Sequence, residues 1–160
     1  MAERRGAALQ RLRSAHEAAV LGELRRSGAL SRGELIERVG LSRTTLFTIV
    51  SDLLAREAVV EQPGAEPAGG RGRPATAVAL NPQGAELIGV GLLPARMQIV
   101  VANHAHEIVA RRSAPLSAAA GPDERVAAVI GAVGELTAER GISLAPVKGV
   151  GLGLPGPVHD

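Results

Sequence analysis

Residues 62–75 read QPGAEPAGGRGRPA, three prolines and four glycines in one short stretch. Proline fixes φ and removes an amide donor, and glycine has the most backbone freedom to lose, so neither a helix nor a central strand can run through it. Regular structure must therefore be built on either side of this break. The two sides differ in kind. Residues 1–80 hold 12 basic against 9 acidic residues, net +3, and residues 81–160 hold 6 against 7, net −1. Long Val/Ile/Leu/Gly runs occur only after the break. Two modules are expected, 1–80 and 81–160.

Composition narrows the function classes. With 46% hydrophobic and 21% charged residues in 160, the chain is not a disordered tail. No window approaches the roughly 18 uncharged apolar residues of a membrane span. The start, Met1-Ala2-Glu3-Arg4-Arg5, is not followed by a secretory apolar core, so no membrane partner is expected and the chain reads as cytoplasmic. The absence of cysteine excludes disulfides, thiolate metal sites and cysteine nucleophiles from these residues. A pI near 10.3 suggests nucleic acid, yet the net charge is only +2. Without Tyr or Cys almost nothing titrates between His and the single Lys148, so a small arginine excess holds the pI high. Where the charge lies is the better guide.

The first module reads as three helices and a hairpin. Leu9, Leu12, Val20, Leu21 and Leu24 can share one face of a helix over 8–26 that ends near Gly28. Ser31 and Glu34 form a capping box for a second helix, with Leu35, Ile36 and Val39 as its stripe and Gly40 as its stop. After a three-residue turn Ser42 caps a third helix. Leu46, Ile49, Val50, Leu53 and Leu54 keep 3-4 spacing there and leave Arg43, Thr44, Thr45, Thr48 and Ser51 mostly on the other face. A strand around Val59 and another at Ala77–Leu80 complete the layout of a winged helix-turn-helix.

That layout carries a chemistry. A helix joined by a tight turn to a second one lets the second lie in the major groove with its N-terminal residues at base edges and phosphates. Arg43 is the candidate base reader, because a guanidinium pairs bidentately with guanine O6 and N7. Ser42, Thr44, Thr45 and Thr48 can donate to phosphate oxygens or touch a thymine methyl. A capped amphipathic surface helix without such a role is the competing reading. Phe47, the only aromatic residue, is expected in the core rather than at DNA. In the wing, Arg71 and Arg73 alternate with glycine and precede Pro74, which suits a narrow minor groove; a plain linker is the alternative.

The second module opens with apolar runs at Leu87–Leu93, Met97–Ala102 and Glu107–Arg111, spaced for an antiparallel meander. A helix follows, begun by Pro122-Asp123-Glu124, striped by Val126, Val129, Ile130, Val133 and Leu136, and ended by Gly141. VKGVGLGLPGPV (147–158) is a buried-strand run breaking into a Pro/Gly turn.

This order, with its GVGLGLPGPV run, resembles the ROK family of repressors and sugar kinases, built on the actin-like sugar-kinase ATPase fold. LSRTTLFTIVSDLLAREAVVE is similar to the recognition helix and first wing strand of its DNA-binding branch, and GGRGRPATAVALNP to its wing and exit. The resemblance covers about residues 10–160. It implies an α+β chain, a winged helix-turn-helix followed by the first part of an actin-like α/β subdomain. It also implies a transcriptional regulator, usually a repressor of carbohydrate genes. The expected partners are a double-stranded DNA operator, a second copy of the chain and, in a full-length protein, a sugar or sugar-phosphate effector. The alternative is a ROK-type sugar kinase with an appended N-terminal module.

The departures from the family pattern matter. Its kinases carry a D-x-G-x-[ST] phosphate loop after the first strand, where this sequence has Gly91, Leu93 and Ala95. Loss of the acid, the permissive glycine and the hydroxyl predicts no ATP binding, no phosphoryl transfer and hence no enzyme. Asn103 and His106 stand where the family often has Asp and Gly, and Glu57 replaces a common helix-ending Gly. His104 and His106 are expected as exposed turn histidines rather than a metal site. The family's sugar-contacting acids, catalytic Asp and structural zinc cluster lie beyond the PGPV turn, so no catalytic, cofactor or metal residue carries over. The sequence is expected to be a fragment whose second module leaves a bare sheet edge and apolar surface.

Overall fold

The computed structural model describes residues 2–64 and 76–154, which fall into two compact units, Met1–Asn81 and Pro82–Asp160. Among these residues no helix is long and apolar enough to cross a membrane.

The first unit runs α1 (Ala2–Ser27), β1 (Leu30–Ser31), α2 (Arg32–Val39), α3 (Arg43–Ala55), β2 (Val59–Pro63), β3 (Thr76–Leu80). Gly28, at φ 75°, ends α1 by donating to the Leu24 carbonyl at 2.9 Å. The capping box of α2 is complete: Ser31 Oγ accepts from the Glu34 amide at 3.2 Å, and Glu34 Oε2 from the Ser31 amide at 2.8 Å. The Ser31 amide, and the Ser31 hydroxyl after it, hold the Glu34 carboxyl below its usual pKa. Gly40, at φ 71°, stops the helix. β2 and β3 pair antiparallel from Val59↔Leu80 to Pro63↔Thr76. β1 was not expected, being too short to show a period. It adds Leu30↔Val78 and Ser31↔Ala77 to give the order β1-β3-β2.

The core of this unit joins Val20, Leu21, Leu24, Leu35, Leu46, Ile49, Val50, Leu53, Val59 and Val78. Leu9 and Leu12 correct the expected apolar face of α1. Both are exposed, because the other described elements of the unit cover α1 only along its second half, where burial starts at Val20.

α3 ends in a Schellman pattern, with Ala58 N donating to Leu53 O and Glu57 N to Leu54 O, both at 2.9 Å. Glu57 occupies the left-handed position at φ 57°. Asn81 Nδ2 binds its carbonyl at 2.7 Å and holds it there. A β-carbon in this conformation costs on the order of 1 kcal/mol that glycine avoids. Glu57→Gly should therefore raise the stability of the unit by about 1 kcal/mol in urea denaturation.

Glu23 ties α1 to α2. Its carboxylate accepts from Ser27 Oγ at 2.7 Å and from Arg38 Nη1 at 3.2 Å, and it pairs with Arg26. Ser27 and the two guanidiniums lower its pKa from 4.5 to about 2. A carboxyl with a depressed folded-state pKa stabilises the fold above its unfolded value and loses that stabilisation as pH falls through the folded one. Melting should thus decline between pH 4.5 and about 2, more steeply than in Glu23→Gln; parallel pH profiles of the two proteins would contradict this.

The second unit consists of β4 (Ala85–Leu93), β5 (Arg96–Asn103), β6 (Ile108–Pro115), α4 (Pro122–Arg140) and β7 (Gly149–Gly153). Its sheet order is β6-β5-β4-β7, the first three antiparallel and β7 parallel to β4. Ile88, Val90, Met97, Ile99, Val101 and Leu136 form its core. Glu124 Oε2 accepts from the Gly121 amide at 3.0 Å to open α4, and Gly141, at φ 60°, closes it. β7 is an edge strand, and Val150, Leu152 and Leu154 are exposed, as are Val126 and Ile130 on α4.

The β5–β6 turn corrects one expectation. Asn103 Oδ1 accepts from the amides of Ala105 at 2.9 Å and Glu107 at 3.0 Å, doing the work an Asp would do there, while His106 takes φ 63°. His104 is fully buried rather than exposed. Its Nδ1 lies 3.2 Å from Glu86 Oε1, an acid that β4 supplies and sequence spacing could not place. His106 is exposed as expected, with Nε2 3.7 Å from Glu86 Oε2. Among the described residues no group of three His, Cys, Asp or Glu side chains is arranged to hold a metal.

Candidate nucleic-acid interface

α2 stops at Gly40 and α3 begins at Arg43, so the two helices are joined by three residues. Ser42 is the N-cap of α3, its Oγ accepting from the Thr45 amide at 3.2 Å and lying 2.8 Å from Thr45 Oγ1. Burial of Leu46, Ile49, Val50 and Leu53 turns the opposite side of α3 outward. Ser42, Arg43, Thr44 and Thr48 are exposed there and Thr45 is half-buried. The hydroxyls are not equivalent. Those of Ser42 and Thr45 bond each other, and Thr48 Oγ1 donates to the Thr44 carbonyl at 3.0 Å. The exposed start of α1 lies alongside, so that Leu9, Leu12, Arg13 and His16 enclose a groove of about 360 Å³ with Thr44, Thr45 and Thr48.

Electrostatics single out one arginine on this face. Arg13 pairs with Asp52 and Glu17, Arg56 with Glu17, Arg26 and Arg38 with Glu23, and Arg32 with Glu61. Among the described residues no carboxylate lies within ion-pair reach of Arg43. Its charge stands uncompensated at the N-terminus of α3, where the helix dipole also favours an anion.

Phe47 corrects the core expectation. It is 39% exposed, because Leu46 and Ile49–Val50 fill the interior and Phe47, four residues after Arg43, falls on the polar face. The guanidinium carbons of Arg32 and Arg43 lie over its ring, 5.2 and 5.5 Å from the centroid. The Arg43–Phe47 spacing was visible in the sequence; the approach of Arg32 was not. Arg71 and Arg73 lie outside the described residues.

In the second unit Gly91 pairs with Gln98 and Leu93 with Arg96, leaving Pro94-Ala95 as a two-residue turn. That turn holds no glycine, and Pro94 has no amide to offer a phosphate.

No protein-family model and no curated protein sequence matches the chain. Among solved structures it is similar to one described as the ROK family transcriptional regulator, homolog of the E. coli MLC protein. The TM-score is 0.57 at 18% identity, over 91% of this chain and 36% of that one. Over the matched part the two chains share a fold. At this identity the likeness concerns the fold, and the chain spans about a third of the length of that ROK regulator.

Cap and charge can be separated by mutation. Ser42→Ala should cost about 1 kcal/mol of stability through loss of the N-cap. Arg43→Ala, outside every ion pair named above, should stay within about 0.5 kcal/mol of the parent by denaturant titration.

Proposed function

We propose that the protein is a transcriptional regulator that binds double-stranded DNA sequence-specifically through a winged helix-turn-helix formed by residues 1–80. The observation that carries this reading is the uncompensated Arg43 at the capped start of a helix whose outward face, Phe47 apart, is otherwise small and polar. α3 would lie in the major groove with Arg43 on a guanine edge. Thr44 and Thr48 would face phosphates or thymine methyls, while Ser42 and Thr45 serve the cap first and phosphate second. Arg71 and Arg73, outside the described residues, are proposed to add contacts from the wing in a narrow minor groove.

Residues 81–160 are proposed as the first part of an actin-like domain that, in a longer protein, senses a sugar or sugar phosphate and makes the regulator a repressor of carbohydrate genes. The similarity to the ROK regulator supports this reading. A phosphotransferase role is disfavoured by Gly91, Leu93 and Ala95 and by the proline in the β4–β5 turn. The proposal includes a homo-oligomer that reads paired half-sites, acting in the cytoplasm.

Selection from a random duplex pool, followed by gel shifts at two salt concentrations, tests the reading. Affinity for the selected duplex should fall with salt, and Arg43→Ala should cost roughly 1 to 3 kcal/mol and relax one position of the site. Unchanged affinity and unchanged sequence preference in Arg43→Ala would contradict Arg43 as the base reader.

A further inference from the structure

We propose that Phe47 is a positioning residue that holds the Arg43 guanidinium ready for a guanine edge, with the Glu61–Arg32 ion pair as its support; this rests on the DNA-binding reading above. The ring is 39% exposed on an otherwise polar helix face and is not among the side chains of the buried core, so core packing alone does not account for its placement. Both guanidiniums lie within the roughly 6 Å at which a cation is attracted to an aromatic face.

The two cations are not alike. Arg32 is mostly buried, and its Nη1 lies 2.7 Å from Glu61 Oε1 on β2, so its charge is already cancelled. Without that carboxylate two like charges over one ring would repel each other and push the exposed one away. With it, the ring carries one neutralised guanidinium as a fixed neighbour and one free guanidinium as cargo. Arginine has many rotamers to lose on forming a bidentate pair, and attraction to the ring face removes part of that loss before the base arrives. Leucine at position 47 would fill similar space without an aromatic face. Tyrosine would keep the face.

A double-mutant cycle on the full chain decides the matter, read by fluorescence anisotropy on the duplex that the parent protein selects. Phe47→Leu should weaken binding by about fivefold and blur the guanine position, and Phe47→Tyr should stay within about twofold of the parent. In an Arg43→Ala background the same Phe47→Leu change should have almost no effect. Both Phe47 variants should remain folded, because the ring is not among the side chains of the buried core. Phe47→Leu binding as tightly as the parent, a loss that persists at full size without Arg43, or a tyrosine as poor as leucine would each overturn the proposal. If the parent chain selects no sequence at all, the DNA-binding reading itself fails, which is a different outcome from a parent that selects one and a Phe47→Leu variant that matches it.

Discussion

The burial of Leu46, Ile49, Val50 and Leu53 against α1, α2 and the small sheet sets the rotation of α3 about its own axis. Residues at 3-4 spacing must meet the core together, so the remaining side of the helix has no choice but to face water. Arg43, Thr44, Phe47 and Thr48 are presented outward as a consequence. The Ser42 cap then fixes where the helix begins and therefore which residues form its first turn. A change in the stripe would rotate the whole face, and a change in the cap would shift its start.

Charge pairing acts on this scaffold as a second layer. Glu17, Glu23, Asp52 and Glu61 take up the guanidiniums of Arg13, Arg26, Arg32, Arg38 and Arg56, chiefly in links between elements of the unit. Exposed pairs of this kind add little stability one by one. Their larger effect is on the field, since a modest positive excess is left concentrated on few side chains. The net charge of +2 thus says less than the place of Arg43, which among the described residues has no carboxylate within ion-pair reach on the outward face of α3.

What was legible in the sequence was local. The capping box at Ser31 and Glu34, the Ser42 cap and the stops at Gly28, Gly40 and Gly141 depend on neighbours within a few residues. The β4–β5–β6 meander and the helix after it were legible from apolar spacing. The errors share one cause, which is that burial is decided by what comes to lie opposite. Leu9 and Leu12 have the spacing of core residues, yet the other elements of the unit do not cover them. Phe47 looked like core by composition, although its position after Arg43 put it on the outer face. His104 read as a turn histidine until the Asn103 turn and Glu86 from another strand enclosed it. Glu57 and His106 adopt left-handed backbone at the two positions where a glycine was expected, so turn geometry there outlasts the loss of its preferred residue.

The most direct test is to map backbone amide chemical shifts of the full chain while titrating the duplex it selects. Perturbations centred on Ser42 to Ser51, with Arg32 following through Phe47, are expected. Shifts confined to β4–β7 and α4, with α3 silent, would contradict the assignment of α3 as the DNA-facing helix.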